Sequence, residues 1–407
     1  MTRAQAERRC KEYNAKRDVY KHGFWDSASA AAYWEKCTVD GNFLINGGNE
    51  YQRADMLVEK LAYIHQSSAL PVILLTCSDV TEEVVVDAAM QNCFGRAKVS
   101  SSQHKNYHPF YGLEPEQLHS LFMNAAIKLG KGNTDDLSNY VRAFITIGSV
   151  YYSPTLASLE MLDKSYPKAD KLEEAGKDAG VDPVHTDAIH NYPGGAAVVR
   201  DILKKLRSCY SNIGTKEADN PFSIVDGCEN GLFMCINVNS PERELMNICL
   251  AEELKQLLGR GRRFHLIFDN VPLCNDELYA QLLVAKSTSG GAVGICDENV
   301  AARTANVSAD NVTGSLLSNI SQFVIFHTGE ETDSDLTQML SAMGVYTHSE
   351  VQVGGGHGWL DPTHHVNYTV VSVGERPRVR PEDMDGYGVL LSGHNRRTVH
   401  LYRKIKI

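Results

Sequence analysis

Asn42-Phe43-Leu44-Ile45-Asn46-Gly47-Gly48-Asn49-Glu50-Tyr51-Gln52-Arg53-Ala54 decides how this chain is read. A short apolar strand runs into a glycine turn and then into the start of an amphipathic helix. That is the layout of a phosphate-binding loop, in which backbone N–H groups and a helix N-terminus cradle phosphates. Against the pattern G-x-x-x-x-G-K-[ST], residues Gly47 to Ala54 keep the first glycine and the length, with Gly48 beside it. Gln52 stands at the second glycine, Arg53 at the lysine and Ala54 at the metal-binding hydroxyl. Taken alone, the stretch reads as a plain β–turn–α corner.

Its surroundings extend that reading. Asp55–Gln66 carries Met56, Leu57, Leu61 and Ile64 at helical spacing, and Pro71–Thr76 is a continuous apolar run. Such runs belong to strands buried on both faces of a parallel sheet, so residues 42–76 predict a right-handed βαβ unit. A second helix is expected over Glu82–Gln91, followed by a polar break over residues 100–105. From Glu114 to about Arg207 the pattern is helical throughout, with Val141–Tyr152 readable either way. Strands resume with Phe222–Val225 and Gly231–Val238, expected to flank an Asp226-Gly227 turn. Then come an amphipathic helix over Glu242–Leu258, a strand over Phe264–Asn270, and a helix over Glu277–Lys286. Strands over Ala292–Asp297 and Ile320–His327, the latter preceded by a helix around Gly314–Asn319, complete the series. Alternating short apolar strands and helices predict an α/β fold with a doubly wound parallel sheet. The expected domains are a helical, charged lead-in (1–41), an α/β domain (42–112 and 216–407) and an all-helical insertion (113–215).

Composition bounds the function. Hydrophobic residues at 43% and charged residues at 22% describe an ordinary globular chain. No apolar run approaches the roughly 18 residues of a membrane span, and Met1–Arg9 has no apolar signal-peptide core. Ten scattered cysteines without a C-x-x-C pair point to reduced thiols in a cytoplasmic protein, not to a disulfide framework or zinc site. A net charge of −10 argues against general nucleic-acid binding. The balance is uneven, because residues 375–407 hold eight Lys/Arg against four Asp/Glu. That basic segment is a candidate contact for DNA or an acidic partner.

An apolar strand ending in a carboxylate, here Asp269, has the layout of the second half of a phosphate-loop nucleotide site, where the carboxylate holds Mg²⁺ through water, but alone it reads as a commonplace strand end whose Asp caps the next loop. The next residue is Asn270, which cannot act as a base.

Four further stretches, in order along the chain, carry a resemblance: Asn106-Tyr107-His108-Pro109-Phe110-Tyr111-Gly112, Phe264–Asn270, Gly314–Phe326, and Glu375–Met384 closed by Gly386–Gly393. Their order, with a helical segment between the first two, resembles the motor domain of FtsK/HerA-type ATPases, and most closely the TraG-like coupling proteins of conjugation and type IV secretion. The resemblance implies a RecA-like P-loop NTPase-type sheet flanked by helices, with an all-helical insertion. It also implies ATP and Mg²⁺ at the loop, ring assembly, and partners in a DNA-transfer or secretion machine.

The chemistry of this chain departs from that pattern. A guanidinium at Arg53 does not replace a lysine's geometry, and Ala54 offers the metal no oxygen. Gln52 puts a side chain where phosphate needs close backbone approach. The family's glutamate position holds Asn270, and its sensor position holds Asp297, whose charge beside Asp269 is expected to repel a developing phosphate charge. The expectation is therefore a non-hydrolysing pseudo-ATPase without a bound cofactor. It is read as a structural, regulatory or adaptor subunit in a homo- or hetero-oligomer, brought to a membrane complex by a partner. The competing expectation is an ATP-hydrolysing DNA translocase or coupling ATPase whose Arg53 contacts the phosphates. A third reading is a module whose helical insertion recognises protein cargo. Gly354-Gly355-Gly356-His357-Gly358 with His364-His365 reads as a surface loop and not a metal site. Arg376, Arg378 and Arg380 read as interface or surface residues in preference to an arginine finger.

Overall fold

The computed structural model describes residues 3–15, 17–25, 32–100, 107–108, 110–132, 134–151, 156–209, 222–239, 243–272, 277–288, 290–300, 317–327, 333–358, 361–384, 387–393 and 398–403. In chain order the elements begin with α1 (Arg3–Ala15), β1 (Val19–Phe24), β2 (Phe43–Gly47), α2 (Glu50–Ser67), β3 (Val72–Thr76), α3 (Asp79–Met90) and β4 (Ala97–Ser100). Six helices follow: α4 (Pro115–Lys128), α5 (Asp135–Tyr151), α6 (Leu156–Ser165), α7 (Ala169–Asp178), α8 (Pro183–Asn191) and α9 (Gly195–Cys209). Next are α10 (Ile224–Glu229), β5 (Phe233–Asn237), α11 (Arg243–Gly259), β6 (His265–Asp269), α12 (Glu277–Thr288) and β7 (Val293–Asp297). Last come β8 (Gln322–Phe326), α13 (Asp333–Ser341), β9 (Val345–Gly358), β10 (Asp361–Pro377), β11 (Tyr387–Gly393) and β12 (Thr398–Arg403). A 3₁₀ turn (Pro381–Met384) precedes β11.

The chain forms two compact units. One comprises Met1–Gly48, Asn299–Ala305 and Ala309–Ile407; the other comprises Asn49–Glu298 and Asn306–Ser308. In the first unit the strands run in the order β1-β12-β11-β8-β2. The pairs β1–β12 and β2–β8 are parallel, while β11 is antiparallel to both of its neighbours. Tyr33 pins this layer by donating its hydroxyl to Phe323 O (3.1 Å) and Ser392 O (2.9 Å). A separate antiparallel ribbon, β9–β10, pairs Val345 with Pro377 at one end and Gly358 with Asp361 at the other.

The second unit has five strands in the order β7-β6-β3-β5-β4, every pair parallel. All residues of β3, β6 and β7 are buried, as expected for apolar runs covered on both faces. The mixed α/β class with mainly parallel strands flanked by helices is thus the one the sequence implies. Helix α11 is buried from Leu245 to Leu257 with few breaks, so its polar residues need internal partners. Glu252 Oε1 accepts from Ser120 Oγ (2.8 Å) and Asn124 Nδ2 (3.1 Å) on α4. Gln256 donates to Gly112 O and accepts from Glu114 N, both at 2.8 Å. Glu253 accepts from the Tyr107 hydroxyl and from Ile224 N (2.8 Å). One helix therefore anchors both the Tyr107–Glu114 entry and the first helix of the 115–209 run.

Several local expectations are corrected. The lead-in over residues 1–41 is expected to be helical, yet it contains β1, which Asp18 (φ 50) separates from α1. Phe222–Val225 is not a strand: Ser223 is extended, and its hydroxyl accepts from Asp226 N (3.0 Å), starting α10 instead. Ile224-Val225 suits either state, and the cap decides. Gly227 is then no turn residue; a Cβ there would meet Met234 Sδ at 2.0 Å, so close helix–strand packing requires the glycine. Val141–Tyr151 is helix. Gly354–Gly358 lies in strand β9 and not in a loop. The polar break at 101–105, residues 314–316, and Asn106, Pro109 and Gly386 lie outside the described residues.

Candidate functional site

β2 ends in two successive left-handed glycines, Gly47 (φ 81) and Gly48 (φ 72), a conformation that L side chains resist. Asn49 follows as the N-cap, and α2 starts at Glu50. Asn49 Oδ1 accepts from Gln52 N (2.9 Å) while Gln52 Oε1 accepts from Asn49 N (3.0 Å), a closed capping box. Arg53 N donates to Asn49 O (3.2 Å). Only Gly48 and Asn49 thus separate β2 from α2, and Gln52, Arg53 and Ala54 belong to the first turn and a half of a helix. Arg53 (4% exposed) and Ala54 (0%) are buried.

The carboxyl ends of β3, β5, β6 and β7 present Thr76, Asn237, Asp269 and Asp297. Asp269 is fully buried, and its Oδ2 accepts from Thr76 Oγ1 at 2.6 Å. Its Oδ1 has no hydrogen-bond partner among the described residues. Burial pushes the Asp269 carboxyl above its ordinary range, with the Thr76 hydroxyl and the Arg53 charge holding it back. Asn270 is left-handed (φ 52), donates its N–H to Cys296 O (2.8 Å), and keeps a buried Oδ1 without a described partner. The β6–β7 register sets Cys296 level with Asp269. Side chains alternate along a strand, so Asp297, one residue further on, points to the opposite face from Cys296. Asp297 and Asp269 therefore do not share a face of the sheet.

Two residues that the sequence reading passed over complete the arrangement. Ser78 caps α3: its Oγ accepts from Thr81 N (3.0 Å) and donates to Glu50 Oε1 (2.5 Å), and its N–H donates to Thr76 Oγ1 (2.9 Å). A continuous polar path runs Glu50–Ser78–Thr76–Asp269. Asn237 Nδ2 donates to Asp79 Oδ1 (3.0 Å) and Glu82 Oε2 (2.6 Å). The signal for Ser78 was present as Ser78-Asp79-Val80-Thr81-Glu82 after an apolar run, a capped helix start. Glu50, Asp79, Glu82, Asp269 and Asp297 are carboxylates in this region, against the guanidinium groups of Arg53 and Arg243.

The C-terminal arginines are engaged within the first unit. Arg376 pairs with Glu350, Arg378 Nε donates to Arg17 O (3.1 Å), and Arg380 Nε lies 3.9 Å from Glu382. No group of three or more His, Cys, Asp or Glu side chains suited to a metal ion occurs among the described residues. The side chains of His357, His364 and His365 lie outside them. No described helix is long and apolar enough to cross a membrane.

No protein-family model matches the sequence, and no curated protein matches it significantly. Solved structures do resemble it. The bacterial conjugative coupling protein TrwB in an unbound monoclinic form is 14% identical, with a TM-score of 0.49 over 90% of this chain and 85% of that one. TrwB with the non-hydrolysable GTP analogue GDPNP is 14% identical, with a TM-score of 0.47 over 90% and 86%. VirB4 of Thermoanaerobacter pseudethanolicus is 13% identical, with a TM-score of 0.47 over 92% of each chain. The structural neighbours of this chain thus include conjugative coupling proteins and VirB4, at identities that concern the fold alone.

Proposed function

We propose that this chain is a catalytically degenerate relative of the coupling ATPases, acting as a structural, regulatory or adaptor subunit in a DNA-transfer or secretion assembly. One observation carries the proposal: α2 begins at Glu50 with its capping box already closed. A phosphate loop offers free backbone N–H groups to its ligand. Here Gln52 N and Arg53 N are spent on Asn49, and the Gln52 side chain on Asn49 N. Arg53 and Ala54 are buried, and the surrounding carboxylates outnumber the guanidinium groups.

The residues around the loop do not fit a nucleoside triphosphate. Asp269, whose Oδ1 has no hydrogen-bond partner among the described residues, fits a cation as such, but no hydroxyl at position 54 joins it. ATP and Mg²⁺ are accordingly not resident groups in this reading, and no reaction step is assigned to them. Protein partners, a contact of the basic 375–407 segment with DNA, and assembly into an oligomer belong to the proposal. The helical 113–215 segment would serve in it as an insertion presenting surface to partners.

Isothermal titration of the purified protein with Mg²⁺-ATP, and with ATP alone, tests the reading. No heat beyond dilution is expected up to about millimolar nucleotide, the affinity limit set by a few kcal/mol of residual contacts. Micromolar binding lost in Arg53→Ala would establish the alternative, an ATPase with an unconventional loop.

A further inference from the structure

The Tyr107–Glu114 entry, α10 and the end of α11 enclose a cleft of about 390 Å³. Leu113 and Val225, both buried, make its apolar floor, and Tyr111 lines one wall with 39% of its surface exposed. Asp226, Glu229 and Arg260 supply the polar lining. The walls are held in place. Gln256 on α11 bonds both Gly112 O and Glu114 N. The left-handed Gly112 (φ 83) lets this segment lie against α10, since a Cβ there would stand 3.3 Å from Val225 Cγ1.

Most of the charge in the cleft is answered. Arg260 Nη1 donates to Glu229 Oε1 (3.1 Å) and its Nη2 to Glu114 Oε1 (2.6 Å), and Arg262 lies 3.9 Å from Glu229 Oε1. Asp226 differs. Among the described residues it forms no ion pair; Asn230 Nδ2 donates to its Oδ1 (3.1 Å), and nothing donates to its Oδ2. Burial and the neighbouring Glu229 push this carboxyl up, and the Asn230 bond and the Lys98 charge offset only part of that rise. A cation beside Oδ2 restores what burial removes.

An apolar floor, an aromatic wall and one unanswered carboxylate suit a cation carried on an apolar stem. The volume lies at the small end of ligand clefts, which suits one such group. Arg260 is a weak obstacle, because two carboxylates already share its charge. We propose that the cleft binds an alkylguanidinium or alkylammonium group, with its charge at Asp226, its stem on Leu113 and Val225, and Tyr111 as the aromatic wall. A small free amine and an arginine or lysine of a protein partner present the same chemistry. The site does not depend on whether the chain binds nucleotide.

Methyl NMR of the full chain, read at Leu113 and Val225, tests this with agmatine, N-acetyl-arginine amide and butylurea as probes. Agmatine is expected to shift both sets of methyl signals with a Kd of about 1 mM, the range open to a ligand of roughly nine non-hydrogen atoms. Butylurea, neutral and similar in shape, should bind about tenfold more weakly or worse. Similar affinity for the acetyl-arginine amide would assign the group to a partner's side chain, and binding of agmatine alone would assign it to a free amine; both sustain the proposal. Asp226→Asn keeps the Asn230 bond and removes the charge, so agmatine affinity should fall about tenfold while methyl signals outside the cleft stay in place. Tyr111→Leu should lower it about threefold, and serves if Asp226→Asn disturbs the fold. Silence at Leu113 and Val225 with both cationic probes up to about 20 mM would overturn the proposal. So would butylurea binding as tightly as agmatine, or variants that bind agmatine as the parent does.

Discussion

Asn49 satisfies the N-terminus of α2 with one side-chain oxygen, and Gln52 returns the bond. Replacing Asn49 by Ala removes the cap acceptor and is expected to cost about 1 kcal/mol. Thermal unfolding should then shift down by about 2 °C, the scale appropriate to a large chain. A loss within experimental error would mean that Asn49 is not the helix cap. The place of Asp269 was legible in the sequence, because a continuous apolar run ending in a carboxylate reads as a strand end, and β6 ends there. The capping box was not legible through the phosphate-loop template, which assigned Gln52 to a loop. Asn-x-x-Gln before an amphipathic run is itself a helix-start signal, and it competes for the same residues. Thr76 was missed for a different reason: its role depends on Asp269, which only the folded chain brings to it.

Helix α11 ties several elements of the second unit together, and its buried Glu253 couples that unit's stability to pH. Burial raises the Glu253 carboxyl from 4.5 to about 8, against the pull of its hydrogen bonds from Tyr107, Val225 and Ile224. The folded chain therefore keeps the proton through a range in which the unfolded chain has lost it. Stability from this group is fully present below about pH 4.5 and is lost as pH rises toward about 8. Glu253→Gln should flatten that part of the stability–pH curve, measured by urea unfolding at several pH values; an unchanged slope would count against a protonated Glu253. At this scale the sequence was a good guide to α2, β3, α11, β6 and β7, whose apolar patterns are long or continuous. It failed for α10 and β1, short segments in which a cap or an edge pairing outweighs periodicity. The β9–β10 ribbon was hidden by its glycines, which read as loop although each pairs across the ribbon.

For the molecule as a whole, the second unit carries five parallel strands, and Thr76, Asn237, Asp269 and Asp297 stand at the carboxyl ends of four of them. Four of the five parallel strands of the second unit, β3, β5, β6 and β7, and the helical character of the run from α4 to α9 follow from sequence pattern; the short, polar β4 (Ala97–Ser100) does not. What the pattern does not specify is the length of the turn after β2, fixed by two left-handed glycines and a closed cap. Catalysis demands several groups acting together, so under the proposed function the closed cap after β2, Ala54 and Asn270 are expected to lower any hydrolysis by orders of magnitude. Phosphate release from Mg²⁺-ATP, with and without single-stranded DNA, measures that conclusion directly. The account requires a rate equal to the blank in both conditions, and the same rate for Arg53→Ala. Release above the blank that Arg53→Ala abolishes, even well below the roughly 1 s⁻¹ of ordinary enzymes, would contradict it.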